Sequence, residues 1–265
     1  MSGDPGRGRP GATAPPTAAY LGVPVIRRGI VGSTNDEALL RAAEGAPEGL
    51  VVVAEEQTAG RGRLGRSWWD QPGDSLLFSL VLRPAIAPAR YPLFGIAMAA
   101  AVAEAGEEAT GTALDVKWPN DVLWDGRKLC GILAESRAGQ AERPALVIGA
   151  GINVNQGAEA FPPEIRDRAT SLRAAAGGRR VDRDALLASV LGRFDRYRLE
   201  ARDRGADSLR EALAARLPRA GTPVRVAVGD RIVAGTVEGV TETGALRVRE
   251  PKEGALVTVS AGELT

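Results

Sequence analysis

Apolar positions in this chain fall into short runs, then helical spacing, then short runs again, and glycine or proline stands at most of the changes. Residues 23–31 read as a strand. A helix follows near Ser33-Thr34, where Thr34 and Glu37 fit a capping box. The β-branched run 50–55 and the apolar run 75–82 read as two further strands. An alanine-rich segment, about 90–108, predicts a long helix with Leu93, Ile96, Ala97, Ala100 and Ala101 on its buried face. Strands are expected next at 115–118, 122–124, 128–136 and 145–154. Their connections are too short for crossover helices, so they should pair as antiparallel hairpins, with Asp125-Gly126 as one turn. Helices return at about 182–203 and 207–217. The stripe of Leu186, Leu187, Val190, Leu191 and Phe194 reads as core. After Pro218 come short strands with glycine turns, at 224–228, 231–240, 245–249 and 255–259.

This pattern predicts an α+β protein: a mixed, largely antiparallel sheet with flanking helices over 21–218, and a small β-barrel over 219–265. Residues 1–20 are rich in Gly, Pro, Ala and Thr without periodicity and read as a disordered tail. Within it Gly8-Arg9-Pro10 has the letters of a minor-groove hook, but one copy without flanking basic residues reads as plain tail.

Composition narrows the chemistry. Across 265 residues, 34 basic side chains meet 33 acidic ones, so no overall field draws the chain to DNA or to anionic membrane. No apolar run approaches a bilayer span and the N-terminus lacks a signal-peptide core, which places the chain in the cytoplasm. There is no histidine, hence no Ser-His-Asp triad and no imidazole proton shuttle. The one cysteine, Cys130, sits in an apolar run and reads as a buried hydrophobe. An enzyme of this composition works by positioning and charge stabilisation.

Cationic residues gather locally instead. In Gly60-Arg61-Gly62-Arg63-Leu64-Gly65-Arg66, glycines open the main chain to a ligand and permit φ > 0, while arginines offer planar donor forks for carboxylate or phosphate. Lys117-Trp118-Pro119-Asn120-Asp121 stands at a strand end that Pro119 terminates, and Lys128 opens the next strand. Gly149-Ala150-Gly151-Ile152-Asn153-Val154-Asn155 is glycine-rich at another strand end. Ser33-Thr34-Asn35 places small polar groups at a helix N-terminus.

In that order, Glu55-x-Gln57-x-x-Gly60-Arg61-Gly62-Arg63-x-Gly65-Arg66-x-Trp68, Lys117-Trp118-Pro119-Asn120-Asp121, Lys128-Leu129-x-Gly131-Ile132-Leu133 and Gly149-x-Gly151-Ile152-Asn153-Val154-Asn155 resemble the biotin protein ligases. The tail from Pro223-Val224 through Gly244-Ala245-Leu246 resembles their SH3-like barrel, so the resemblance covers about 23–265. It implies the biotin–lipoate ligase fold, akin to class II aminoacyl-tRNA synthetases, and a two-step reaction. Biotin and ATP give biotinyl-5′-AMP and pyrophosphate, and biotin then passes to a lysine of the biotin carboxyl carrier domain of an acyl-CoA carboxylase.

Residue by residue, the resemblance places Ser33, Thr34, Asn35 and Gln57 around the ureido head of biotin. Gly60, Arg61, Gly62 and Arg63 close over biotin and the adenylate, with Gly131 beside them. Lys128 faces the carboxylate and α-phosphate, supported by Lys117 and Arg63 as the catalytic cations. Arg66, Trp68, Asn120 and Asn153, with Arg63 and Lys117, fall on the ATP side. Mg²⁺ is expected with ATP, but no ligand set for it is legible, and Asp121 is a weak candidate. Cys130 stands where the family often has alanine. Some relatives carry an N-terminal winged-helix repressor domain; about 20 residues are too few to form one, so the short form without DNA binding is implied. The resemblance allows a monomer or a weak, ligand-promoted homodimer.

Two other classes fit part of the pattern. A lipoate ligase or octanoyltransferase shares the fold but gives the Ser33, Thr34 and Gln57 set no ureido ring to hold. A nucleic-acid-binding protein would use 60–66 as a basic tether, but leaves the motifs at 117–121 and 128–133 unexplained.

Overall fold

A computed structural model describes residues 25–136, 144–251 and 254–264. The tail 1–20, with Gly8-Arg9-Pro10, lies outside these residues. β1 (Val25–Val31) runs parallel to β2 (Val51–Gln57), because the connection between them crosses over through helix α1 (Thr34–Ala43). Every other strand pair is antiparallel: β3 (Ser75–Leu82), β4 (Asp115–Lys117), β5 (Asp121–Trp124), β6 (Arg127–Ser136) and β7 (Leu146–Asn153) complete a sheet of order β1-β2-β3-β7-β6-β5-β4. β3 lies inside the sheet and all eight of its residues are buried, yet two of them, Ser75 and Ser79, are polar. Asp125 and Gly126 both take positive φ, 51° and 70°, as the β5–β6 hairpin turn requires.

The alanine-rich helix α2 (Pro92–Thr110) is buried more widely than the single face predicted for it. Its buried residues run almost without interruption from Leu93 to Gly106, because the sheet covers one side and α5 (Arg183–Arg204) the other. The segment before β4 also packs close to α2: a Cβ on Gly106 would lie 2.6 Å from Leu114 Cδ1. Two one-turn helices, α3 (Pro163–Arg166) and α4 (Leu172–Ala175), precede α5. α5 starts at Asp182, whose carboxylate caps the amides of Asp184 and Ala185. Its predicted apolar stripe is buried, and α6 (Ala206–Ala212) is shorter than expected.

The capping box does not form. Ser33, not Thr34, is the N-cap of α1 and makes no side-chain capping bond. Thr34 Oγ1 binds Gln57 instead, and Glu37 is drawn to Arg41 and Arg28; the Arg41 bond above all holds its carboxyl below the usual range. The polar groups of this first turn face the sheet, where they serve a site.

The C-terminal unit contains β8 (Pro223–Val228), β9 (Arg231–Val240), β10 (Leu246–Arg249), β11 (Leu256–Val259) and an unforeseen β12 (Glu263–Leu264), all antiparallel in the order β11-β10-β9-β8-β12. It is the small SH3-like module expected. It docks through Gly244, whose carbonyl accepts a 2.9 Å bond from Trp118 Nε1 and which lies over Leu93 and Ile96. Val226, Val237 and Leu246 join the same hydrophobic core as α2 and the sheet. Among the described residues no helix is long and apolar enough to cross a membrane.

Candidate functional site

One open cleft of about 920 Å³ collects three of the four sequence motifs and part of the fourth on the sheet face between α1, the 60–66 loop and the β4–β5 turn. Its lining holds Ser33, Thr34, Asn35 and Gln57 at one end, and Arg61, Gly62, Arg63, Arg66, Trp68, Lys117, Asn120, Lys128 and Gly131 along the rest. Gly149, Ala150 and Gly151 form part of the floor. Of the residues singled out from sequence, Gly60 and Asn153 lie outside the lining. Gly60 is packed behind it, where an added Cβ would lie 3.1 Å from Trp68 O. Asn153 ends β7, buried, with its Oδ1 lacking a protein partner.

The polar end is a hydrogen-bonded wall. Gln57 Oε1 accepts from Thr34 N at 2.8 Å and Thr34 Oγ1 at 3.0 Å. Ser79 Oγ, on β3, stands 2.8 Å from Thr34 Oγ1 and 2.6 Å from Asn35 Oδ1. Asn35 Nδ2 donates 2.7 Å to Glu135 Oε2. Gly149 makes this possible, since a Cβ there would occupy the place of the Asn35 amide. Ser79 was missed from sequence; a buried serine interrupting an apolar strand was the available signal.

The floor explains the glycines of the other motifs. The Trp68 indole lies across β6 and β7, and a Cβ would come within 3.0 Å of it from Gly131 and 2.5 Å from Gly151. Trp68 Nε1 is buried without a partner, and Lys128 Nζ sits 5.8 Å from the ring centroid. Lys128 Nζ also lies 2.8 Å from Asp121 Oδ1. Its backbone is pinned on both sides, donating to Arg168 O and accepting from Thr170 N. Lys117 makes no ion pair among the described residues. Cys130 is fully buried, and burial pushes its thiol up, out of nucleophilic range.

The glycine-arginine loop is an ordered hairpin-like turn. Trp68 N bonds Gly60 O at 2.9 Å, Gly62 N bonds Arg66 O at 2.7 Å, and Arg61 faces Ser67. Positive φ falls on Gly65 and on Leu64 (57°), not on Gly62, so Gly62 is not required by a left-handed turn. Arg61 and Arg63 point to different partners. Arg61 forks onto Asp36 at 2.6 and 2.8 Å and reaches Glu135 at 3.3 Å; the Asp36 bond above all holds its guanidinium far above the ordinary value. Arg63 Nη1 reaches Asn120 Oδ1 at 3.1 Å and the Gly262 carbonyl at 3.4 Å. Asn120 is held besides by Ile132 O, at 2.7 Å from its Nδ2. Gly262 belongs to the C-terminal module and lines the cleft, a contribution no local motif announced.

The lining therefore carries five cationic side chains and a single carboxylate, Asp121. Among the described residues no cluster of three His, Cys, Asp or Glu could hold a metal. The arrangement suits a neutral polar group at one end and a multiply charged anion at the other.

Comparison with known proteins agrees with this geometry. Residues 30–153 match the biotin/lipoate A/B protein ligase family, and residues 220–264 match the biotin protein ligase C terminal domain. The bifunctional ligase/repressor BirA of Bacillus subtilis is 44% identical over 179 residues, which are 67% of this chain and 55% of that protein. The chain thus spans about half the length of that relative. The biotin–acetyl-CoA-carboxylase ligase of Paracoccus denitrificans is 35% identical over 223 residues, 83% of this chain and 91% of that protein. The biotin protein ligase of Aquifex aeolicus, solved with biotin and ATP, superimposes with a TM-score of 0.75 at 30% identity, covering 91% of this chain and 97% of that one. Both modules are matched, and the chain belongs to the biotin protein ligase family.

Proposed function

We propose that the chain activates biotin with ATP to biotinyl-5′-AMP and transfers biotin to a lysine of a biotin carboxyl carrier domain. The observation that carries this reading is the single cleft that joins a neutral donor–acceptor wall to a cationic wall, with Trp68 across its floor. In the first step a biotin carboxylate oxygen bonds to the α-phosphorus and the bond to pyrophosphate breaks. Two anions must approach; like charges about 4 Å apart repel by roughly 4 kcal/mol at an effective dielectric of 20. Lys128, Lys117 and Arg63 offset that repulsion without exchanging a proton, which suits a protein with no histidine. In the second step the carrier lysine's amine bonds to the acyl carbon, AMP leaves, and the amine loses a proton. Both nucleophiles come from substrates.

The wall of Thr34, Gln57, Ser79 and Asn35 supports a ureido ring, which needs donors and acceptors side by side. Trp68 supports stacking on the ATP side. Asn120 is engaged by Ile132 and Arg63, so its part is to hold Arg63 over the cleft, and Asn153 offers a buried acceptor beyond the lining. Mg²⁺ enters as part of the ATP substrate: the carboxylate of the lining, Asp121, is already paired with Lys128, and no metal-holding cluster of His, Cys, Asp or Glu occurs among the described residues. The test is ATP-dependent transfer of labelled biotin to a carrier domain, with mass spectrometry for bound biotinyl-AMP. Pyrophosphate release with lipoate or octanoate but not biotin would overturn the proposal.

A further inference from the structure

The polar wall asks for more hydrogens than it holds. Thr34 Oγ1 donates to Gln57 Oε1 at 3.0 Å, and Ser79 Oγ stands in donor position to two oxygens, Thr34 Oγ1 at 2.8 Å and Asn35 Oδ1 at 2.6 Å. A serine or threonine hydroxyl carries one hydrogen, so three oxygen–oxygen contacts share two. Neither amide supplies the third. Gln57 turns its oxygen to the pair, because the same atom accepts from Thr34 N at 2.8 Å. The Asn35 nitrogen is held away from Ser79 by two acceptors, Glu135 Oε2 at 2.7 Å and Leu133 O at 3.3 Å. Turning that amide over would set its oxygen against the Glu135 carboxylate. Ser79 is fully buried on β3 and does not line the cleft, whereas Thr34, Asn35 and Gln57 do.

We infer that the wall is built one hydrogen short, that an N–H of the ligand's ring supplies it, and that Ser79 is the positioning residue behind this demand, acting through Thr34. The inference deepens the assignment of the cleft to biotin and rests on it. A ring N–H donated to Gln57 Oε1 frees the Thr34 hydrogen for Ser79, whose own hydrogen then serves Asn35 alone. Each oxygen of the wall then has a donor. A ring with oxygen at that place brings only lone pairs and leaves one short oxygen–oxygen contact without a hydrogen. Sites whose buried polar groups go unpaired reject such analogues strongly. Replacing Ser79 removes two of the three contacts and one of the two hydrogens, so the deficit disappears while Thr34 and Gln57 stay in the wall.

The measurement is calorimetric binding, to the full-length chain, of biotin and of two analogues that each carry a ring oxygen in place of one N–H. The parent should favour biotin over one of the analogues by about 100-fold, and Ser79→Ala should cut that preference to about tenfold. Asn35 Oδ1 loses its donor whichever ligand is bound, so this variant melts lower, but that loss leaves the ratio alone. Ser79→Cys, close in shape but a poor donor and acceptor, should shift the ratio the same way. In a Thr34→Val background the ratio should no longer respond to Ser79→Ala. An unchanged ratio in both Ser79 variants would overturn the inference, whatever their stability. An equal change in the Thr34→Val background would overturn it too, because Ser79 would then not act through Thr34. Failure of the parent to bind biotin removes this inference together with the function it rests on, whereas biotin binding with a ratio indifferent to Ser79 removes the inference alone.

Discussion

At the scale of single residues, the ion pair of Lys128 and the burial of Asp70 make opposite demands. Lys128 is fixed by backbone bonds to Arg168 and Thr170 and by its charge contact with Asp121, all independent of a ligand. Lys128→Ala therefore removes the cation while leaving its strand pinned. It should slow biotinyl-AMP formation by about 100-fold, as removal of one stabilising group from a preorganised site does, and leave the melting temperature nearly unchanged. A large loss of stability with full adenylation activity would show that the pair is structural. Asp70 lies just beyond Trp68-Trp69, half-buried, and burial pushes its carboxyl up to about 6, against a bond from the Gln57 backbone N–H that lowers it. The folded state thus holds this proton more tightly than the unfolded chain, whose value is 3.8. Between those two values stability from this group falls as pH rises, and above about 6 the whole penalty is present. Asp70→Asn, which keeps an acceptor for Gln57, should melt higher than the parent at pH 8 and converge with it near pH 3.5. A gap unchanged across that range would sink the assignment.

Elements reveal which parts of this architecture were legible in advance and which were not. Strands β3, β6 and β7 and helix α5 were legible because each carries its own signal, an apolar run in the strands and a helical stripe in α5, over eight or more residues. The one-turn helices α3 and α4 were not, since four residues hold no period. The full burial of α2 depends on α5, far away in the chain, and local periodicity sees only one neighbour at a time. The motifs at 60–66, 117–121 and 128–133 marked the cleft because its chemistry is concentrated in short runs. Ser79, Asp36, Glu135 and Gly262 escaped because each acts through a partner on another element. The glycines of β6 and β7 show the same limit. The run at 149–155 signalled a strand end, whereas Gly151, with Gly131 on β6, leaves room for the Trp68 indole, and Gly149 leaves room for the Asn35 amide. Gly151→Ala puts a methyl where an added Cβ would be 2.5 Å from Trp68 Cε2, so the ring must lift off. Overpacking of this kind costs about 1–3 kcal/mol. We expect a modest fall in melting temperature together with weakened ATP binding, measured by calorimetry. Wild-type ATP affinity in a stable Gly151→Ala variant would remove Trp68 from the nucleotide side.

For the molecule as a whole, the question is whether the C-terminal module is an appendage or part of the enzyme, and its contacts argue for the second. Its core residues are continuous with those of α2, Gly244 sits on Leu93 and Ile96, and Gly262 lines the cleft beside Arg63. Trp118 ties these together. Its ring is buried, its Nε1 bonds the Gly244 carbonyl, and its own chain neighbours are Lys117 and Pro119 of the cleft wall. A displacement of the module would therefore move Gly262 and Lys117 at once. Trp118→Phe keeps an apolar ring but leaves the Gly244 carbonyl unpaired in the interface, a loss of about 1–3 kcal/mol. If the two units share one cooperative core, thermal unfolding of this variant stays a single transition at lower temperature. Amide exchange then rises across β8 to β12, and the KM for ATP increases along with it. Should the module instead melt separately in the parent protein, with ATP affinity insensitive to Trp118→Phe, the cleft would be complete within residues 25–218, and Gly262 would be a bystander at its rim.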